Sequence, residues 1–332
     1  MSYRSQALVE YQRAGLTEAT KYGALAWVSG KGLFHQAGDD VLCYGRSTAK
    51  PLHMKVFAQE LAPVLPWAQK ALSVASHNAE PFQLKAIKEI LASAKHKHVK
   101  TPATMPLRLD PKIHKSPNRW YHPCSGEHSA ILRGCALKSW NLESYRSLQH
   151  PFHQTFLKYV QSVLGATWQA QYTARDGCGL ATVSLTLSEL ALLFANLVRE
   201  KDQDWIWEAM ANYPQYVGGR NRLDTTIMQS CEGKVLAKEG ADGLLGLAIQ
   251  HPDHPQGLGV MIKLAHGTDN QAMWYIARGI LGSLGWSLPL PAALFRQNPK
   301  LASEIVPPFL RERLAKLAMR DLSHELDDIF KE

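Results

Sequence analysis

Ser47 and Lys50 stand three positions apart in Arg46-Ser47-Thr48-Ala49-Lys50-Pro51. If the backbone between them is helical, the two side chains share one face, one turn apart. A buried lysine that loses its solvation has a lowered pKa and can take a proton from a neighbouring hydroxyl. The pattern is then a minimal acylation device, with Ser47 as nucleophile and Lys50, kept neutral by burial, as its base. The same residues also fit a plainer role. Ser47 would cap a helix running from about Thr48 to Leu61, with Lys50 on its solvated face.

Further along, Ser76-His77-Asn78 offers a second hydroxyl, and Lys238-Glu239-Gly240 a second lysine. Penicillin-recognising serine enzymes use the order Ser-x-x-Lys, Ser-x-Asn, Lys-Thr-Gly. Here Glu239 replaces the small hydroxyl residue, and Gly240 leaves the backbone open to close approach by substrate. Ser76 and Asn78 also suit a helix N-cap, with Glu80 in the turn that follows.

Two glycine-containing turns carry thiols, Cys124-Ser125-Gly126-Glu127-His128 and Asp176-Gly177-Cys178-Gly179. Two thiolates plus a Glu or His would make a tetrahedral zinc shell, which requires the two sulfurs within about 5 Å of each other. The alternative is that both are small buried residues. Cys43, Cys135 and Cys231 lie in apolar patterns and are assigned to the core.

Short apolar runs predict strands at Ala7–Tyr11, Ala24–Val28 and Val41–Tyr44, an antiparallel meander that delivers the chain to Ser47. Helical spacing predicts helices over Ala79–Ala94, from His128 to Lys138, and over Phe152–Leu164, Leu187–Glu200, Asp204–Asn212, Arg222–Cys231 and Gln271–Leu284. Residues 99–123 hold five prolines and read as a long ordered loop. Trp168–Thr173, Val235–Lys238, Leu244–Gln250 and Gly259–Leu264 read as strands. Strands at both ends of a chain commonly pair in one sheet, so the expected architecture is α+β with a helical part between. The expected catalytic domain is 1–306, its sheet drawn from 1–46 and 233–285 and its helical part from 47–232. After Pro307-Pro308, residues 307–332 read as an amphipathic helix with Leu310, Leu314, Leu317, Met319, Leu322, Leu326 and Ile329 on its stripe. That stripe packs on its own domain or on a second copy, in a homodimer.

The net charge of +8 is spread rather than gathered. The densest basic group, Lys95 to Lys100, lacks interleaved aromatics, so a nucleic-acid partner is not expected. No run approaches the roughly 18 apolar residues of a membrane span. Five widely spaced cysteines do not suggest a disulfide framework. With no signal-like start, a cytoplasmic location is expected.

Together these residues resemble the asparaginase II family, the rhizobial-type L-asparaginases. The resemblance runs from about Leu8 to about Asn298. It is carried by Arg46-Ser47-x-x-Lys50-Pro51-Leu52, Ala75-Ser76-His77-Asn78-x-Glu80-Pro81, Cys124-Ser125-Gly126-x-His128, Asp176-Gly177-Cys178 and Lys238-x-Gly240-Ala241-x-Gly243, in family order. The Pro151 region and Arg222-Leu223-Asp224-Thr225 add to it. The resemblance implies a serine β-lactamase and glutaminase type of fold and hydrolysis of L-asparagine to L-aspartate and ammonia. It implies Ser47 as nucleophile, Lys50 as base, and Ser76 with Lys238 as a second Ser–Lys pair. Arg46, His77, Asn78, Asp176 and Gly240 would hold substrate, and zinc would sit on Cys124 and Cys178, with Glu127 where the family usually has lysine. His122-Pro123 replaces the usual asparagine pair, Ala79 the usual glycine and Asp242 the usual glutamate, and Lys263-Leu264-Ala265-His266-Gly267 lacks an expected acidic pair. These departures concern substrate more than reaction class. They leave open a related amidase on another amide, or a catalytically silent amino-acid-binding paralogue.

Overall fold

A computed structural model describes residues 3–30, 32–91, 93–106, 116–294 and 298–317. Ten strands are described: β1 Gln6–Arg13, β2 Leu16–Ser29, β3 Gly32–Ala37, β4 Leu42–Tyr44, β5 Thr173–Arg175, β6 Ala181–Thr186, β7 Val235–Gly240, β8 Leu244–His251, β9 His254–Leu264 and β10 Asn298–Leu301. Seven of them form one sheet in the order β10-β1-β2-β9-β8-β7, with β3 paired to β2. Every strand pair described is antiparallel. The chain is therefore α+β, and strands from its two ends do meet in one sheet, where Trp27 faces Val260 and Leu25 faces Ile262 across β2 and β9. Residues Leu244–Ile249 of β8 are buried without a break, as expected of a strand covered on both faces.

The helices are α1 Lys50–Met54, α2 Ala58–Leu61, α3 Trp67–Ser73, α4 Pro81–Ile90, α5 Ser125–Leu137, α6 Pro151–Leu164, α7 Leu187–Arg199, α8 Ile206–Asn212, α9 Pro214–Val217, α10 Leu223–Ser230 and α11 Asn270–Ser283. The α7 helix lies directly on β9, where Gly257 and Gly259 meet the backbone of Ala191 and Ala195. It starts with a full capping box, Thr186 accepting from the Glu189 amide while the Glu189 carboxylate accepts from the Thr186 amide. At the sheet's other end α11 packs near β1 and β10, with Tyr11 edge-on to Tyr275 at 6.0 Å.

Several expectations change. The helix predicted over Thr48–Leu61 is a series of short turns: a 3₁₀ turn at Arg46–Ala49, then α1, a second 3₁₀ turn at Lys55–Phe57, and α2. Nearly all of this segment is buried, so packing on all sides, not helix propensity, sets its path. β4 leaves the expected meander and joins a separate three-stranded sheet, β4-β6-β5. The strand expected at Trp168–Thr173 begins only at Thr173. The α4 helix starts at Pro81 and is capped by Glu80 with Gln83, so neither Ser76 nor Asn78 serves as its cap. In the tail, residues 311–317 are helical, and Leu310 and Leu314 are buried. Leu314 and Leu317 pack against Gly279 and Gly282 of α11, so this part of the stripe lies on its own chain. Met319, Leu322, Leu326 and Ile329 lie outside the described residues. Among the described residues no helix is long and apolar enough to cross a membrane.

Candidate active site

Ser47 sits in the 3₁₀ turn that follows β4. Arg46, just before it, holds a left-handed backbone at φ 49°, an uncommon conformation for a side chain of that size. Its guanidinium is fixed from two sides, by Asp176 Oδ1 at 2.6 Å from Nε and by Asp242 on Nη1. The same contacts bring the 176–179 turn and the β7–β8 turn up to Ser47. Gly240 closes the arrangement. A Cβ there would lie 3.0 Å from Thr48 Cγ2, so β7 approaches the Ser47 turn as closely as a glycine allows.

Beneath Ser47 lies a buried relay. Lys50 Nζ donates to the Ala75 carbonyl at 2.6 Å and to Ser76 Oγ at 3.4 Å. Lys238 Nζ donates to the same Ser76 Oγ at 2.9 Å and to the Glu239 carbonyl at 2.9 Å. Both lysines are buried, Lys50 to 2 % exposure and Lys238 to 0 %, which removes the plainer reading of Lys50 as a solvated residue. Each faces a buried carboxylate: Glu127 at 3.6 Å from Lys50 and Asp224 at 3.5 Å from Lys238. No hydrogen bond joins Ser47 Oγ to Lys50 among the described residues, and the hydroxyl that the lysines share is that of Ser76.

Burial alone would lower both lysine pKa values, but their partners differ. Around Lys50, Cys124 and Glu127 outweigh desolvation and raise it, against the lowering expected from burial alone. At Lys238 desolvation prevails over Asp224, and the pKa falls to about 8. Burial pushes Glu127 up, but Lys50 and His53 pull it below the usual carboxylate range. Glu239 is raised by burial and by Asp224, despite its 3.0 Å ion pair with Arg222.

Ser47, Ser76, Asn78, Arg46, Asp176, Gly240, Cys124 and Cys178 all line one cavity of about 490 Å³. His77 does not. It is fully buried, its Nε2 bonded to Ser125 Oγ at 2.9 Å and its Nδ1 accepting from the Ala79 amide at 3.0 Å. Burial lowers its pKa to about 3, so it is a neutral strut behind the wall. The structure also places in the site four residues without an assigned role in the sequence. Arg222 and Glu239 line the cavity, Arg222 donating to Asn78 Oδ1 at 3.1 Å. Asp224 and His53 lie behind it. A charged residue one position from Leu223, and a histidine one turn after Lys50, were the available signals.

The zinc set is only partly assembled. Cys124 and Cys178 both line the cavity, and the Cys124 amide donates to His122 Nδ1 at 3.1 Å. Contact with Cys178, together with the Lys50 charge, lowers the Cys124 pKa well below that of an ordinary thiol. Glu127, expected as the third ligand, points elsewhere: its Oε1 is 2.8 Å from His53 Nδ1 and its Oε2 faces Lys50. Among the described residues no three His, Cys, Asp or Glu side chains are grouped to hold a metal. Without a third grouped ligand among the described residues, Cys124 and Cys178 do not by themselves make a tetrahedral zinc shell.

The Ser47 hydroxyl, a hydroxyl shared by two buried lysines and a cavity that Ser47 and Ser76 line are the kinds of group that acyl transfer uses. The profile of the family described as L-asparaginase II matches residues 9–304, and the chain belongs to that family. Membership makes it an asparaginase-type amidohydrolase, acting on an amide. No curated individual protein matches the chain.

Proposed function

We propose that the chain hydrolyses L-asparagine to L-aspartate and ammonia through an acyl-enzyme on Ser47, on a serine β-lactamase and glutaminase type of fold formed by residues 1–306. The observation that carries this reading is the Ser76 hydroxyl, held by Lys50 and Lys238 under the cavity onto which Ser47 opens. Ser47 Oγ attacks the side-chain carbonyl. Its proton passes through Ser76 to Lys238, the lysine whose pKa of about 8 suits a base near neutral pH. Lys50, as an ammonium, gives a proton to the departing nitrogen, and the C–N bond breaks. Water then attacks the ester. Lys50 takes the water's proton and Lys238 returns one to Ser47, which restores both groups. The amide of Ser47 and a strand amide near Gly240 would receive the oxyanion. Arg46, Asp176 and Asn78, with Arg222 and Glu239, would hold the two charged ends of the amino acid. No step is routed through zinc.

A related amidase on another amide is the second reading. It is favoured by Glu239, a carboxylate in the cavity wall where a small hydroxyl residue is usual. Ammonia release from L-asparagine, L-glutamine and a short amide panel separates the two. Release chiefly from asparagine is expected. Release only from other amides would establish the second reading, and silence from a folded protein across the panel would contradict both.

A further inference from the structure

Glu127, one of the three side chains that the family resemblance gives to zinc, faces Lys50 in this chain. Its Oε2 lies 3.6 Å from Lys50 Nζ, and its Oε1 lies 2.8 Å from His53 Nδ1. We infer that Glu127, oriented by His53, is the positioning residue of Lys50 and not a metal ligand. The inference rests on the Ser–Lys reading above.

The geometry has three independent supports. Lys50 and Glu127 are each 2 % exposed, so bulk water solvates neither, and they form an ion pair at 3.6 Å. His53 sits one turn after Lys50 on α1, while Glu127 comes from α5. The clamp therefore joins two helices, and the carboxylate is bridged between two side chains of α1. A carboxylate can only accept, so the His53 Nδ1 at 2.8 Å carries the proton and fixes the rotamer of Glu127. The His53 ring is itself held edge-on by Phe156 at 4.5 Å and Phe152 at 5.6 Å. Finally, the Glu127–Lys50 spacing matches that of Asp224 and Lys238, 3.5 Å, on the other side of Ser76. The relay is thus two buried ion pairs meeting at one hydroxyl. Glu127 at this position supplies an anion that pairs with a lysine, where lysine at the same position would repel it.

The test combines steady-state kinetics on the amide found active above with the zinc content of the purified and chelator-treated protein. We expect Glu127→Gln to lower kcat about 100-fold, the order associated with misplacing a reacting group, while KM moves little. Glu127→Asp should recover part of the loss, and zinc should stay far below one equivalent with no effect of chelator on rate. A folded Glu127→Gln protein with unchanged kcat would overturn the inference. So would one equivalent of zinc in the wild type that is lost, together with activity, in Glu127→Gln, since Glu127 would then be a metal ligand. If Glu127→Gln does not fold, His53→Gln decides: about a tenfold fall in kcat at unchanged KM is expected, and an unchanged kcat contradicts. Full activity in Ser47→Ala would instead sink the reading on which the inference rests, so the two failures are separable.

Discussion

At Ser76 two lysines compete for one oxygen, and the acid beside each decides what it does. Asp224 opposes the desolvation of Lys238 without cancelling it, which leaves that amine near pKa 8. If Lys238 must be neutral to act, kcat/KM rises with pH through a limb near 8. Asp224 favours the charged form, so its removal lowers the Lys238 pKa further. The pH profile of Asp224→Asn should therefore have its acid limb displaced to lower pH, and a limb that stays in place or moves upward would contradict the role of Lys238. Ser47, Lys50, Ser76 and Lys238 could be picked out in the sequence because each lies in a short motif, and only Ser47 and Lys50 share one. Asp224, His53 and the contacts of Glu127 with Lys50 and His53 could not. Their meaning depends on contacts across 14, 74 and 77 positions in the chain, which local spacing does not encode. A carboxylate near a cysteine reads alike in sequence whether it faces a metal or a lysine.

Among the elements, the contact of α7 with β9 sets how closely the helical layer meets the sheet. It depends on Gly259, where an added Cβ would run into the carbonyl oxygen of Ala191. Backbone on both sides leaves nothing to rotate away. Gly259→Ala should cost roughly 3 kcal/mol, at the upper end of overpacking effects, read as a fall in the urea midpoint. A midpoint equal to the wild type would show that the two elements can slide apart freely. Sequence periodicity found β8, β9, α6, α7 and α11 because their apolar residues recur on a buried face. It missed β3, β6 and β10. Leu33 and Phe34 of β3 are exposed, and β10 is four residues long with a proline inside, so neither carries an alternating pattern. The first half of β2, from Leu16 to Thr20, is a hairpin arm held by pairing with β1, not by burial.

The whole molecule carries a set of histidines that its interior keeps neutral. Desolvation lowers His77 to about 3, His128 to about 4 and His153 to about 3. In the unfolded chain each takes up a proton near the ordinary value of about 6.5. The folded-state values lie below the unfolded one, so the stability these groups contribute is complete above about pH 6.5 and is lost as pH falls toward about 4. Each contributes about 1.4 kcal/mol per pH unit within that window, and the three together about 4. Unfolding free energies from urea titrations between pH 7 and pH 4 should fall along a slope of that order. A flat profile across the window would mean that these imidazoles are protonated inside the fold.

The central claim is that Ser47 carries the acyl group. Ammonia release by the wild type and Ser47→Ala, measured side by side on the best amide substrate, tests it most directly. The account predicts a folded Ser47→Ala protein, with the melting temperature of the wild type and almost no turnover. Wild-type turnover in Ser47→Ala would contradict it.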